Sequence, residues 1–326
     1  MKKLLSLLLC VVTALSLALL GGCQVSRTEK KTILIAAPDG APALAVYELM
    51  KNVDHLAGYQ VDYKIVSGAA NIGTTFASGE ADIAVMPVNV AAKLYNNGTD
   101  LKLLSVNVFG VLYMVGKTPI ATPNDLIGKV VVNIGQGGTP DITLKFILEE
   151  NDVPYEISDT PVEGKVALKY VNDGSEVIAL LSANKVDYGV LGEPAVSGAV
   201  KKTGGQIVMD LQSVWSDLLG EGTFTQAGIV VNKEVYSDNR LIAALNEKLT
   251  SNIDYLFEDA ENISSVLQAN GSALQMPFNE AVLTRCNLKH ASSLSVKTQL
   301  EKYFNAILQR SPNFIGGKLP EDGFYM

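Results

Sequence analysis

One stretch of this chain occurs twice. Ser78-Gly79-Glu80-Ala81-Asp82-Ile83-Ala84-Val85-Met86 is echoed by Ser182-Ala183-Asn184-Lys185-Val186-Asp187-Tyr188-Gly189-Val190-Leu191, with one inserted residue, so that Asp82 and Asp187 stand 105 residues apart. Each copy reads as a helix end, a tight turn, an aspartate opening a strand, and then a helix. A chance echo is the alternative, since helix–turn–strand units share composition. Taken as a repeat, the pattern requires two equivalent α/β units. Ligands of such units bind outside the carboxyl ends of the strands. Two units whose equivalent ends face each other make a cleft.

The flanking sequence agrees. Strand-like runs at Thr32–Ala36, Gln60–Val66, Asp82–Met86 and Leu101–Val108 alternate with helical spacing at Pro42–Leu56, Ala70–Ser78 and Val88–Tyr95. Ile33-Leu34-Ile35 and Ile83–Met86 are apolar throughout rather than alternating, which predicts parallel strands covered by helices on both faces. The pattern restarts at Thr122-Pro123-Asn124-Asp125, a capped turn closed by Gly128. Strands are then expected at Lys129–Ile134, Val166–Val171, Tyr188–Leu191 and Gln206–Met209, and helices at 139–151, Ser175–Asn184 and Pro194–Lys202. Thr225–Val231 reads as one more strand. Beyond Ser237 the spacing is helical, at Asn239–Phe257, Ala260–Asn270, Asn279–Cys286 and Ser295–Gln309.

The first residues bear on where the chain works. Lys2 and Lys3 precede an apolar run from Leu4 to Leu20, followed by Gly21-Gly22-Cys23 and a polar stretch. A plain membrane anchor is the alternative, since this run approaches the roughly 20 apolar residues needed to span a bilayer. The small residues before Cys23 favour cleavage instead, and the Cys23 thiol is the atom that a diacylglyceryl group would modify. Residues 1–22 resemble a bacterial lipoprotein signal, with 23–31 as a tether and the membrane reached through the lipid. Cys10 would be removed and Cys23 blocked, leaving Cys286 as a small buried hydrophobe and no disulfide.

Charge and counting exclude several classes. Lys plus Arg number 26 against 34 Asp plus Glu, and removing residues 1–22 makes the balance more acidic still. No nucleic-acid partner is expected of such a chain. With His55 and His290 as the two histidines, neither a His-rich metal centre nor a cofactor is expected.

Four markers then point to a family. They are Pro38-Asp39-Gly40-Ala41-Pro42-Ala43, Ser78–Val85 running into Pro87-Val88-Asn89, Asp125-Leu126-Ile127-Gly128-Lys129-Val130, and the ending Gly316–Tyr325. Together they resemble the substrate-binding lipoproteins of ABC importers, in the group that handles nitrate, sulfonates, taurine and thiamine-pyrimidine precursors. The resemblance implies the type II periplasmic-binding-protein fold, an α/β architecture of two lobes joined by two crossover strands with a ligand cleft between them. It implies crossovers near Val106–Val115 and Thr223–Val231. Lobe 1 would comprise 32–112 plus 225–326, and lobe 2 would comprise 113–224. It also implies a monomer that delivers its cargo to an ABC permease.

Candidate ligand contacts follow from the turns at strand ends. Gly135-Gln136-Gly137-Gly138-Thr139-Pro140 links a strand to a helix start, where free N–H groups and the helix dipole favour an acceptor or anion; an ordinary capped turn is the other reading. The equivalent first-lobe turns are Asp39-Gly40-Ala41-Pro42 and Ser67-Gly68-Ala69-Ala70-Asn71, in which Ser67 and Asn71 either meet ligand or cap the next helix. Val88, Asn89, Glu193 and Pro194 fall at the cleft mouth by the family resemblance. For Glu193 solvent exposure is the alternative, and for Pro194 a simple helix start. Phe109 and Gly110 lie in the first crossover, where Phe109 either stacks on a ring or packs between lobes. Trp215 either closes the far end of the cleft or belongs to the core.

None of Arg27, Arg240, Arg285 and Arg310 falls on these turns, whereas Asp39 and Glu193 bring acids to them. The expected ligand is therefore a neutral or weakly basic ring compound, aminopyrimidine-like, rather than nitrate or an alkanesulfonate. An enzyme of the same fold is the rival, with Asp39 and Glu193 as an acid/base pair. Against it, no Gly-x-Ser-x-Gly elbow and no Cys–His pairing near Cys286 are present. A receptor module reporting to a membrane sensor is a third reading.

Overall fold

The apolar runs assemble into two sheets in a computed structural model that describes residues 31–67, 71–220, 222 and 224–326. The expected leader at 1–22, Cys23, most of the expected tether and Gly68 lie outside the described residues. The first sheet takes β1 (Thr32–Pro38), β2 (His55–Leu56), β3 (Tyr59–Val66), β4 (Ile83–Pro87), β5 (Leu101–Val108), β12 (Ala227–Asn232) and β13 (Leu288–Ser292), in the order β13-β5-β12-β4-β1-β3-β2. The second takes β6 (Leu112–Gly116), β7 (Val130–Ile134), β8 (Tyr155–Ile157), β9 (Val166–Val171), β10 (Tyr188–Gly192) and β11 (Gln206–Asp210), in the order β11-β6-β10-β7-β9-β8.

The repeat is structural. Asp82 Oδ2 accepts a hydrogen bond from Leu34 N at 2.9 Å, and Asp187 Oδ2 accepts one from Val130 N at 2.8 Å. Each aspartate thus ties the strand it opens to a parallel neighbour, β4 to β1 and β10 to β7. On the other side of β4 and β10 lie β12 and β6, both antiparallel. The sheets are therefore mixed rather than wholly parallel as expected. β6 and β12 follow directly on the two passages between sheets and run against the strands they join.

Helices cover the strands: α1 (Ala41–Leu44), α2 (Tyr47–Asn52), α3 (Ile72–Ala77) and α4 (Val88–Asn96), then α5 (Thr139–Glu150), α6 (Gly174–Ser182), α7 (Ala195–Thr203) and α8 (Leu211–Leu219). After β12 come α9 (Lys233–Tyr236), α10 (Asn239–Glu258), α11 (Ile263–Ala269), α12 (Glu280–Arg285) and α13 (Lys297–Arg310). Caps explain many starts. The carboxylates of Asp173, Asp210 and Asp238 each accept from a backbone N–H two or three residues on, opening α6, α8 and α10.

The expected helix at 42–56 is broken. Val46 leaves helical geometry at φ −125°, ψ 23° between α1 and α2. Further on, Ala57 and Gly58 both adopt left-handed φ, forming a two-residue turn that pulls His55 and Leu56 out to pair with Tyr59 and Gln60. The segment 260–270 is a 3-10 turn at Ala260–Asn262 followed by α11, not one helix.

Thr32–Met326 is one compact unit. α13 carries much of its cohesion. Leu300, Tyr303, Phe304 and Ile307 are fully buried, and the Tyr303 ring lies 5.3 Å from Trp215 of α8. Trp215 also meets Phe146 of α5 at 4.1 Å and is itself 0% exposed. Cys286 is buried, as expected, and burial pushes its thiol pKa up. Among the described residues no helix is long and apolar enough to cross a membrane.

Candidate functional site

The turns singled out in the sequence meet between the two sheets. Gly40, at φ +102° before α1, lies where an added Cβ would stand 3.8 Å from Pro194 Cδ and 3.9 Å from the Glu193 carbonyl oxygen. Asn89, in the first turn of α4, faces Thr139, in the first turn of α5, with Thr139 Oγ1 donating to Asn89 Oδ1 at 3.4 Å. Val88, Asn89, Thr139, Glu193, Pro194 and Ala41 are all buried. Strand ends of one sheet therefore face strand ends of the other.

Two expectations about charge are overturned here. Glu193 is not unanswered: Arg285 Nε donates to its Oε1 at 2.5 Å, Arg285 Nη2 donates to Ser197 Oγ at 2.7 Å, and Ser197 Oγ donates to Glu193 Oε1 at 2.9 Å. The sequence hides this because Arg285 lies in α12, far from any strand-end turn, and is brought in by the fold. Asp39 is committed as well. Its carboxylate accepts from Gly40 N, from Ser272 Oγ at 2.6 Å and from Ala273 N at 2.9 Å, which fastens the turn to the segment after α11. An Asp39–Glu193 acid/base pair has no support in these contacts.

The glycine-rich turn is also less open to an anion than expected. Gly138 N bonds the Gly135 carbonyl, and Gly137 N donates to the carboxylate of Asp141. Asp141 sits in the first turn of α5, accepts from Tyr170 Oη at 2.6 Å and pairs with Lys145. A helix start that already holds its own carboxylate has less field left for a ligand's negative charge. A Cβ at Gly137 would fall 2.6 Å from Phe314 Cζ, so this position serves close packing. Gln136 is exposed.

Ser67 and Asn71 are exposed, and Asn71 makes no side-chain cap to α3. Its amide instead donates back to the Ser67 carbonyl at 2.8 Å. Phe109 is half-buried against the core with Lys289 Nζ 5.7 Å from its ring centre. At Gly110, φ is +103° and a Cβ would fall 2.6 Å from Gln212 Cβ and 2.7 Å from Phe224 Cδ1.

What sequence reasoning missed is a polar group at the crossings. Gln212 Oε1 accepts from Leu112 N at 2.9 Å, just past the first crossing, and Gln226 Oε1 accepts from Val111 N. Around them Trp215 Nε1 and Thr225 Oγ1 are buried with no hydrogen-bond partner, while the Gln212 amide lies beside the Asp210 carboxylate and the Tyr303 hydroxyl beside Thr139. Burial raises the Tyr303 pKa, although the Thr139 side chain lies close enough to oppose that. The lone Trp was the one visible signal; Gln212, Thr225 and Tyr303 carried none.

No family profile matches the sequence, and no curated protein matches it. Solved structures do. An ABC transporter structure from Parabacteroides distasonis is 26% identical, with a TM-score of 0.76 over 91% of this chain and 99% of that one. The chain has the fold of ABC-importer solute-binding components. The periplasmic aliphatic sulphonate binding protein of Escherichia coli is similar at 12% identity and a TM-score of 0.67, covering 90% of this chain and 97% of that one. The ligand-binding component of an ABC-type import system from Staphylococcus aureus, solved with zinc bound, is similar at 13% identity and 0.63, over 91% and 96%. The type II fold expected from the sequence is the fold found: the chain passes from the first sheet to the second between β5 and β6, within the expected Val106–Val115, and returns between α8 and β12, where Thr223–Val231 was the expected crossover.

Proposed function

We propose that this protein is the extracytoplasmic solute-binding component of an ABC importer, a carrier and not a catalyst. The observation that carries the reading is the meeting of strand-end turns, Gly40 with Glu193–Pro194 and Asn89 with Thr139, across a junction crossed by two short passages of chain. Residues 32–112 with 225–326 act as one lobe and 113–224 as the other. A solute touching both favours the closed arrangement by its differential affinity for it, and the closed form is what an ABC permease recognises. Gly40, Ala41, Pro42, Val88, Asn89, Gly138, Thr139 and Pro194 are the contacts we retain at the cleft. Asp39, Gly137 and Glu193 serve as its frame.

Cleavage before Cys23 and lipid attachment to that residue would hold the chain on the outer face of the membrane as a monomer. The cargo is a small organic molecule, a ring compound of the aminopyrimidine kind rather than nitrate or an alkanesulfonate. The pairing of Glu193 with Arg285 removes the original reason for expecting a basic ligand. What supports an uncharged one is that Asp141 already occupies the start of α5. Mass spectrometry of molecules released from freshly purified protein tests the reading. A carrier releases one defined solute and returns it unchanged after prolonged incubation; conversion of the solute would make the protein an enzyme.

A further inference from the structure

We propose that residues 113–224 carry a second ligand site, at the end of their sheet remote from the cleft, and that it takes a dianionic phosphate group borne on a small organic molecule. The site shares no residue with the cleft, so it stands or falls apart from the carrier reading.

The strand register builds a hollow there. Gly116 ends β6 opposite Tyr188, which opens β10, and Tyr188 also pairs with Val131 near the start of β7. Lys117 follows β6, Lys129 precedes β7 and Lys185 stands just before β10, so the three meet at one edge of the sheet. Thr139 and Glu193–Pro194 follow β7 and β10 at the opposite edge. The lysines border a cavity of about 460 Å³, a size that suits a small organic ligand. Buried Leu181, Val186 and Tyr188 give it apolar lining, and Thr118 and Thr160 add hydroxyls.

Charge singles the place out. Residues 113–224 hold eight lysines, no arginine and fifteen acids. Three of the lysines are matched: Lys145 by Asp141, Lys165 by Glu156 and Lys169 by Asp159. The other five, Lys117, Lys129, Lys185, Lys201 and Lys202, are exposed and form no ion pair among the described residues. Lys117, Lys129 and Lys185 line the cavity, and Lys201 and Lys202 directly precede Thr203 on its wall. Lys117 Nζ donates to the Asn184 amide oxygen at 2.5 Å, a neutral partner. Unpaired cations scattered over so acidic a segment would not gather at one hollow.

The negative groups nearby do not cancel them. Asp159 is matched by Lys169. Asp187 Oδ2 accepts from Val130 N, and Asp125, beside Lys129 in an adjoining hollow, accepts from Ala121 N and Thr122 N. α6 and α7 both end at the cavity, and each carboxyl-terminal end carries about half a negative charge. Five ammonium groups against two carboxylates and two helix ends leave an excess of about two positive charges. A phosphate monoester supplies about that charge at neutral pH, with three acceptor oxygens for the ammonium and hydroxyl donors.

Calorimetric titration of the purified protein with phenyl phosphate, and with singly charged benzenesulfonate beside it, tests the site. Flotation with phosphatidate vesicles asks whether the same phosphate chemistry comes from a lipid headgroup. We expect one phenyl phosphate per chain and weaker binding of benzenesulfonate. Lys129→Gln/Lys185→Gln should weaken phenyl phosphate about tenfold or more. Both lysines are exposed and unpaired, so this variant should keep the wild-type Tm. Lys64→Gln/Lys318→Gln loses the same charge from exposed pairs outside residues 113–224 and should bind as the wild type does. Flotation that Lys129→Gln/Lys185→Gln abolishes, without binding of phenyl phosphate, would keep the site and assign its phosphate to a headgroup. Binding of neither probe overturns the inference, as does equal weakening in the two variants. Phosphate that binds Lys129→Gln/Lys185→Gln as tightly as the wild type lies elsewhere, in the cleft for example, and overturns it while the carrier reading stands.

Discussion

Arg285 and Glu193 join the two sheets through an ion pair in which the carboxylate is wholly buried and the guanidinium about one-third exposed. The pair links the end of α12 to the residue after β10, and Tyr113 Oη adds a hydrogen bond to the Arg285 carbonyl at 3.0 Å. Removing the cation alone leaves a buried carboxylate unmatched. Arg285→Ala should lower the unfolding free energy by about 3 kcal/mol. The Glu193→Gln/Arg285→Ala double variant should regain a large part of it, because an amide tolerates burial better than a lone charge. Urea unfolding of the wild type and the two variants decides this, and equal stability of the single and double variants would count against it.

A second arginine makes a weaker tie. Arg310, at the end of α13, donates to Glu149 Oε2 at 2.8 Å, also bonds Glu150, and lies 4.6 Å from the centre of the Phe146 ring. All three charges keep contact with water, so Arg310→Gln should cost only about 1 kcal/mol. The wild type should lose most of that increment between about 0.05 and about 0.5 M salt, whereas the variant should not.

The first crossing has no room at Gly110. Its left-handed φ and the 2.6 Å approach of Gln212 Cβ make Gly110→Ala a clash on top of backbone strain, costing about 2–4 kcal/mol. Gly58→Ala is the control. It shares a left-handed φ but meets nothing within 4 Å, so it should cost about 1 kcal/mol. Thermal unfolding midpoints compare the two.

Acid should weaken the edge of the first sheet. Asn107 Oδ1 accepts from Ser105 Oγ, so its amide donates to His290 Nδ1, 3.2 Å away, which must then be unprotonated. Burial holds the His290 pKa below its ordinary value of 6.5. The unfolded chain therefore binds this proton more readily. Stability is full above about pH 6.5 and falls as the pH drops toward the lowered folded value. His290→Gln should flatten the unfolding midpoint between about pH 7.5 and about pH 5.5.

Attachment to the membrane should depend on a single sulfur. Cys23→Ser should move the protein from the membrane fraction to the soluble one and abolish incorporation of labelled palmitate. Retention of both in the variant would sink the lipid anchor.

Much of the architecture was legible because period and punctuation survive burial. Leu101–Val108 and Val166–Val171 read as strands from end to end and are strands. α8 was overlooked, although Asp210, Leu211, Val214, Trp215 and Leu218 form a cap and an apolar face at helical spacing. β8 and β13 are short edge strands with too few apolar residues to announce themselves. Gly40 and Thr139 were singled out by their position at strand ends, and Asn89 and Pro194 by the family resemblance; all four lie where the two sheets meet. Their electrostatics were not legible. Arg285 meets Glu193 across 92 positions, and Ser272 meets Asp39 across 233. No local pattern encodes such pairings.

The strand order also dictates when each half can be finished. β6 to β11 form a contiguous run, so the second sheet has all its strands once residue 210 is available. The first sheet has β12 in its middle, between β5 and β4, and β13 at its rim. Its earlier strands must wait for a segment made after the whole second sheet, a long closure of the kind that slows folding. In a chain emerging from its amino end, the half that begins first is completed last.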